Sequence, residues 1–170
     1  MADLHYTDLT LCCPGHALHG QPIALRLAQG QLQQLVPAEE APSGARSLAG
    51  HALSPGWADA YAELNDPARD DREPLAALAQ AAAQGGFRHV LAHPHPANSP
   101  HTADALRALA RRAEGLPAQL HLAAPLTEGC TGTDMAPLRE MAQAGAAAYS
   151  DGPQALQNEA LRIRLLEYAA

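Results

Sequence analysis

The sequence predicts an α/β fold, in which a small N-terminal β-module (residues 1–53) precedes four strand–helix units (residues 54–170). Residues 1–53 contain short alternating apolar runs, whereas from residue 54 onward short apolar runs alternate with segments whose apolar residues repeat at helical spacing. Glycines end several of those helical segments. Repeated strand–helix units form parallel sheets with right-handed crossovers, so both an open doubly wound sheet and part of a closed barrel fit the pattern.

Length, composition and charge limit the classes of protein to consider. The chain has 170 residues, of which 47% are hydrophobic, which is enough for an ordinary domain with a core. The net charge of −7 argues against a nucleic-acid partner. No apolar run is long enough to cross a bilayer, so no membrane contact is expected. The three cysteines do not form a disulfide framework, which predicts a cytoplasmic protein.

The N-terminal module is predicted to consist of short strands. The runs at 7–12, 23–27 and 31–36 alternate in polarity, and the Gln29-Gly30 pair joins the last two into a hairpin. A further strand is predicted at 46–52. Cys12 and Cys13 are expected to pack in a strand as small hydrophobic side chains.

The second region is predicted to begin with a buried strand at 57–64, read WADAYAEL, which ends in polar residues. Three further strands are predicted at 87–92, 118–123 and 146–150. Helices are predicted at 70–84, 102–114, 134–143 and 153–170. The last helix would carry Leu156, Ile163 and Leu166 on one side. Between the second strand and its helix, the proline-rich segment 93–100 is predicted to be a loop.

Several short segments match one known family in order and spacing. They are SPGWAD at 54–59, AAAQGGF at 81–87, LTEG at 126–129, YSDG at 149–152 and LEYA at 166–169, together with the hairpin around Gly30. On these residues the chain resembles the amidohydrolase superfamily, and within it the dihydroorotase and allantoinase branch. The resemblance implies a metal-dependent hydrolase barrel of the TIM type, of which residues 54–170 would supply the first four βα units.

The same resemblance shows where the expected ligands are missing. The first barrel strand of the family ends in His-x-His-x-Arg, and the matching residues here are Tyr61, Glu63 and Asn65. The resemblance therefore implies degenerate metal-ligand positions at Tyr61 and Glu63. It implies degenerate substrate-binding positions at Asn65 and at His95, which stands where the family has an asparagine. Asp151 remains near the fourth strand, but Gly152 replaces a second acidic residue.

These replacements remove the chemistry that the family uses. A tyrosine is neutral at pH 7 and is a poor substitute for a histidine ligand, and an asparagine cannot clamp a carboxylate as arginine does. No catalytic residue and no cofactor are therefore expected. A replacement zinc site is the alternative, with Glu63, His93, His95 and Asp151 as its possible ligands at the carboxyl ends of their strands.

Each candidate ligand also has a structural interpretation. The histidines of the HPHP loop can face solvent, Glu63 can be a solvated strand end, and Asp151 can cap the last helix. His89 and His121 lie inside predicted strands and are interpreted as barrel-wall residues. Cys130 has no predicted base beside it and is interpreted as a packing or surface cysteine.

Three functions are carried forward. The favoured one is a catalytically inactive dihydroorotase-like protein of pyrimidine biosynthesis with a structural role, such as a partner of aspartate carbamoyltransferase. The second is an active cyclic amidohydrolase that converts dihydroorotate and water into N-carbamoyl-aspartate through a rearranged zinc site. The third is a truncated fragment without independent function. Because half a barrel leaves strand edges unpaired, a homo-oligomer or a protein partner is expected in each case.

Overall fold

The chain divides at Pro55 into two units, Met1–Pro55 and Gly56–Ala170, each with its own sheet. The division lies two residues after the boundary expected from the sequence. The computed structural model describes residues 3–65, 74–96 and 100–169. No helix among these residues is long and apolar enough to cross a membrane.

The first unit is a small five-stranded sheet. Its strands are β1 (Leu4–Leu11), β2 (Pro22–Ala28), β3 (Gln31–Pro37), β4 (Arg46–Ser47) and β5 (Ala52–Leu53). β1, β2 and β3 are antiparallel neighbours, while β4 and β5 each pair with β1 in parallel. Gln29 and Gly30 both have positive φ, as the predicted tight hairpin requires. Leu9, Leu11, Ile23 and Leu25 form the core of this unit.

Two expectations for the first unit were wrong. The predicted strand at 46–52 is two separate two-residue strands, because the chain turns between them, where the amide of His51 donates to the carbonyl of Leu48. Cys12 lies beyond the end of β1 and is exposed, so it does not pack in a strand. Cys13 also follows β1, but it packs against the core of the unit as a small apolar side chain.

The second unit is a four-stranded parallel sheet in chain order. Its strands are β6 (Trp57–Glu63), β7 (Phe87–His93), β8 (Gln119–Ala124) and β9 (Ala148–Tyr149), and its helices are α1 (Leu75–Gln84), α2 (Ala103–Ala113), α3 (Leu138–Gln143) and α4 (Glu159–Ala169). α1, α2 and α3 connect successive strands, and α4 follows the last one. The predicted α/β class, a small β-module followed by a parallel half-barrel sheet, is confirmed.

The two faces of this parallel sheet differ in character. Apolar side chains from β7 and β8, such as Ala92 and Leu122, are buried together with Leu106 and Leu109 of α2. The alternate residues of β7 point to the other face, because successive side chains of a strand alternate. That other face carries the rings of Phe87, His89 and His93 beside Leu91, and the polar residues of interest lie on it.

The first strand of the parallel sheet is not buried as predicted. Trp57 and Tyr61 of β6 keep 64% and 52% of their surface exposed. Among the described residues, β6 hydrogen-bonds only to β7, so it is an edge strand. An edge strand does not need to be covered by apolar residues on both faces, and an alternating sequence pattern does not distinguish an edge strand from a central, buried one.

Two helices begin later than predicted. α3 begins at Leu138 rather than at residue 134, because Pro137 disfavours helical geometry in the residue before it and Met135 pairs with Thr127 instead. α4 begins at Glu159 rather than at residue 153, where the side chain of Asn158 caps the amide of Leu161. α1 begins at Leu75, and residues 70–73 of its predicted range lie outside the described residues.

The buried face of α4 is also different from the predicted stripe. Leu161 and Leu165 are buried against Ala136 and Leu138. Ile163 and Leu166 lie on the opposite face and remain 53% and 68% exposed. The last helix therefore carries apolar residues on both faces, and only one face has a partner within the described part of the chain.

Candidate functional site

The carboxyl end of β6 contains a β-bulge that shapes the candidate site. Asp59 pairs with Val90 and Ala62 with Ala92, so β6 has one residue more than β7 between these pairs. The carboxylate of Asp59 accepts from the amide of Tyr61 at 2.9 Å, which holds the bulge locally.

His93, at the end of β7, is fixed by this bulge. Its Nε2 donates to the carbonyl oxygen of Ala60 at 3.0 Å. The ring of Tyr61 packs on that of His93, with 4.6 Å between the ring centroids. Because Nε2 carries the donated proton, Nδ1 is the lone-pair nitrogen of the neutral ring. That Nδ1 atom is buried, and it has no hydrogen-bond partner among the described residues.

Glu63 and His95 form the nearest contact between ionisable side chains. The Oε1 atom of Glu63 lies 3.4 Å from Nε2 of His95, and both side chains are more than one third exposed, at 44% and 38%. Solvent screens a pair of this kind, so it contributes little to stability. The structure therefore brings together two of the four predicted zinc ligands. Asn65 follows at the strand exit and is half-buried.

Asp151 is held in a separate, buried network. Its Oδ1 accepts from the amides of Leu126 and Thr127 at 2.9 Å each, and its Oδ2 accepts from the Thr127 hydroxyl at 2.6 Å. The Thr127 hydroxyl oxygen in turn accepts from the amide of Gly132 at 2.8 Å. Asp151 thus ties the loop after β8 to the end of β9. It does not cap α4, since that role belongs to Asn158.

Gly152 has no room for a side chain. Its φ of +62° lies in the left-handed region, and a Cβ atom built on it would overlap the carbonyl oxygen of Pro94. The resemblance places an acidic residue of the family at this position. In this chain the loop after β7 approaches the backbone where that carboxylate would stand.

As they lie, these residues do not fit a family-type metal ion. Such an ion needs imidazole and carboxylate groups that converge on one point. One nitrogen of His93 is used in a hydrogen bond and the other is buried, while both oxygens of Asp151 are used. Over residues 3–65, 74–96 and 100–169, no three His, Cys, Asp or Glu side chains form a group that could hold a metal. The four-residue zinc site stays a prediction that would require these groups to move.

One pair of residues was not connected by sequence reasoning. Nδ1 of His89 on β7 lies 3.1 Å from Nε2 of His121 on β8. We interpreted both as separate wall residues, although adjacent parallel strands were predicted to carry them. The strand register would have revealed the pair: His121 of β8 pairs with Leu91 of β7, which puts it diagonally beside His89, two residues away on the same face.

Elsewhere in the unit, burial raises the pKa of Tyr149 above the ordinary tyrosine value. Its hydroxyl donates to the carbonyl of Leu138 at 2.7 Å and connects the last strand to α3. Cys130 is buried, in agreement with a packing role rather than an exposed nucleophile.

Comparisons with known proteins identify relatives of the chain. No family model matches it. The dihydroorotase of Desulfotalea psychrophila is 32% identical over 122 residues, which cover 72% of this chain and 29% of that protein. The dihydroorotase of Geobacter sulfurreducens is 31% identical over 144 residues, which cover 82% of this chain and 34% of that protein.

A solved structure supports the same relationship at the level of fold. The crystal structure of a dihydroorotase superposes with a TM-score of 0.58 at 11% identity, and the match covers 88% of this chain and 42% of that one. The chain spans about one third of the length of the curated relatives it matches. The chain is therefore dihydroorotase-like in sequence and has the fold of the amidohydrolase superfamily.

Proposed function

We propose that the chain is a catalytically inactive dihydroorotase-like protein with a structural role in pyrimidine biosynthesis. The proposal rests on its similarity to dihydroorotases and on the residues at the end of β6. A dihydroorotase-like scaffold without its ligands can still present a surface to a partner, and aspartate carbamoyltransferase is the partner that the resemblance implies.

The contact between Tyr61 and His93 is the observation that carries this proposal. Tyr61 stands where the resemblance places a metal-binding histidine, and its ring covers the nearest imidazole. The hydrogen bond from His93 to Ala60 orients that imidazole toward the backbone. Hydrolysis of a cyclic amide by this family depends on a metal that polarises the amide and activates water. These residues offer such a metal no converging set of ligands.

Exposed apolar side chains support the structural role. Trp57 and Tyr61 lie on the edge strand β6, and Ile163 and Leu166 lie on the outer face of α4. Exposed apolar groups of this size favour association with a protein, as does the edge of β6 that pairs with no other strand among the described residues. The partner is either aspartate carbamoyltransferase or a second copy of the chain.

An activity assay tests the catalytic half of the proposal. The purified protein is incubated with dihydroorotate, with and without added Zn²⁺, beside the Desulfotalea psychrophila dihydroorotase as positive control. We expect no formation of N-carbamoyl-aspartate above the buffer rate. Zinc-dependent turnover that is lost in Glu63→Gln would overturn the proposal and favour the rival, an active cyclic amidohydrolase with a rearranged site.

A sedimentation experiment tests the structural half. The protein is centrifuged alone and with aspartate carbamoyltransferase from the same organism. We expect either a complex of the two proteins or an oligomer of this chain. Sedimentation of this chain as an unassociated monomer in both experiments would contradict the structural role, whatever the activity assay shows.

A further inference from the structure

We propose that His89 and His121 form a metal site, separate from the residues at the end of β6, that binds Cu²⁺ through two imidazole nitrogens. The facing nitrogens, Nδ1 of His89 and Nε2 of His121, lie 3.1 Å apart on adjacent parallel strands. The proposal does not depend on the proposed function, because neither residue occupies a family ligand position in the resemblance.

The sheet fixes the separation of the two nitrogens. His89 pairs with Gln119 and Leu91 with His121, so the two histidines are diagonal neighbours on one face of the sheet. Their rings are tilted by 31°, with 5.3 Å between the centroids. Side chains on paired strands are positioned more accurately than side chains on loops. The sheet therefore keeps the two rings adjacent, and in this structure their facing nitrogens are joined by a hydrogen bond.

The distance fits a chelated transition-metal ion. A metal–imidazole bond is about 2.0–2.1 Å long, and two such bonds at angles between square and tetrahedral put their nitrogens roughly 2.8–3.4 Å apart. Imidazole suits copper, nickel and zinc, and Cu²⁺ binds most tightly among the divalent ions of that row. Mg²⁺ and Ca²⁺ prefer oxygen ligands and are not expected to bind.

The proton balance of binding is simple. Without metal, one neutral ring donates its N–H to the lone pair of the other. On binding, that shared proton moves to the second nitrogen of its own ring, so that both facing nitrogens present lone pairs. Two neutral rings thus bind the ion without net proton release. A protonated ring must first lose one proton, so binding weakens as the pH falls.

The site is accessible and lies away from the end of the strand. His89 is exposed and His121 is half-buried, so water can supply the remaining ligands. His89 precedes His93 by four residues on β7, which is about 13 Å along a strand. The formal charge of −7 favours the approach of a cation. With two protein ligands, the site agrees with the absence of any three-residue metal group among the described residues.

Copper titration of the metal-free protein tests the proposal. Calorimetry and electron paramagnetic resonance are expected to show one tightly bound Cu²⁺ per chain with two coordinated nitrogens, and no heat with Mg²⁺. His89→Gln and His121→Gln are each expected to weaken binding at least tenfold. His101→Gln, which removes a histidine elsewhere in the same unit, is the matched control and is expected to bind as the parent does. Glu63→Gln tests whether the ion binds instead at the end of β6.

Unchanged Cu²⁺ affinity in both His89→Gln and His121→Gln would overturn the proposal. A measurement on the unaltered chain covers the case in which a variant fails to fold. Substoichiometric Cu²⁺ broadens nearby proton resonances, and the broadening is expected to centre on the rings of His89 and His121. Broadening centred on other histidines would also overturn the proposal. Loss of Cu²⁺ binding in Glu63→Gln would instead place the ion at the end of β6.

Discussion

The polar residues near the ends of β6, β7 and β9 have positions that suit a ligand site, but several of them hold the backbone in place instead. His93, His95 and Asp151 each lie at or just beyond the end of a strand, but Asp151 belongs to a network separate from the two histidines. The sequence did not show that His93 serves the bulge at Ala60, because a bulge depends on the register of two strands. Nor did it show that Asp151 faces two backbone amides, 25 and 24 residues earlier in the chain.

Asp151 gives the first prediction, at the scale of a single residue. Asp151→Ala leaves two inward-facing amides and one hydroxyl without their acceptor, so we expect the free energy of unfolding to fall by roughly 3 kcal/mol. Asp151→Asn keeps one acceptor oxygen and is expected to lose about half as much. Urea unfolding measures both.

Asp134→Ala provides the control for that experiment, because it removes an exposed carboxylate from the same part of the chain. A change of less than about 0.5 kcal/mol is expected there, as for most surface substitutions. If Asp151→Ala were equally harmless, the network would not stabilise the fold, and Asp151 would again be available as a metal ligand.

At the scale of elements, the sequence predicted the order of the four strands and four helices in the second unit. Periodicity and helix-ending glycines were sufficient for this. The starts of α3 and α4 were wrong, since local signals at Pro137 and Asn158 outweigh helical spacing in the residues before them. The predicted burial of β6 was also wrong, because an alternating strand pattern does not reveal whether other elements pack over the strand.

The contact between two loops at Gly152 and Pro94 gives the second prediction. Gly152→Ala must keep a left-handed backbone and also displace the Pro94 carbonyl, so we expect a loss of roughly 2–4 kcal/mol in the free energy of unfolding. Gly115→Ala is the matched control. Gly115 has a similar positive φ but nothing within 4 Å of a built Cβ, so a loss of only about 1 kcal/mol is expected there.

Thermal or urea unfolding of the two glycine variants separates these contributions. Equal losses in both variants would show that only backbone conformation matters at Gly152. In that case the loop after β7 could move away from β9 at little cost, and the space for a family-type carboxylate would be available after all.

At the scale of the whole molecule, the resemblance predicted a half-barrel sheet, and the fold comparison supports it. The side chains that this half-barrel sheet and its helices leave exposed were harder to predict. The expected stripe of Leu156, Ile163 and Leu166 turned out to mix environments, since Leu156 packs on a small core while Ile163 and Leu166 are exposed. Leu156 precedes α4 and so does not share a helix face with Ile163 and Leu166, and helical spacing alone does not show which side of a helix meets the rest of the fold.

The exposed face of α4 gives the third prediction. Leu166→Glu places a charge on that face, so we expect the weight-average mass in sedimentation equilibrium to fall toward the monomer. Leu32→Glu alters an exposed leucine of the first unit and is expected to leave the mass unchanged. A parent chain that is already monomeric at all concentrations, or an equal response in both variants, would contradict self-association through α4.

The close approach of the Pro94 carbonyl to Gly152 makes the order of evolutionary substitutions important. While a side chain occupies position 152, it keeps the neighbouring loop away. Once glycine stands there, the loop can move into the vacated space. A carboxylate restored at that position then destabilises the fold before any ligand is regained. Under the proposed function, regaining an acidic residue at position 152 would therefore require a prior change in the loop after β7.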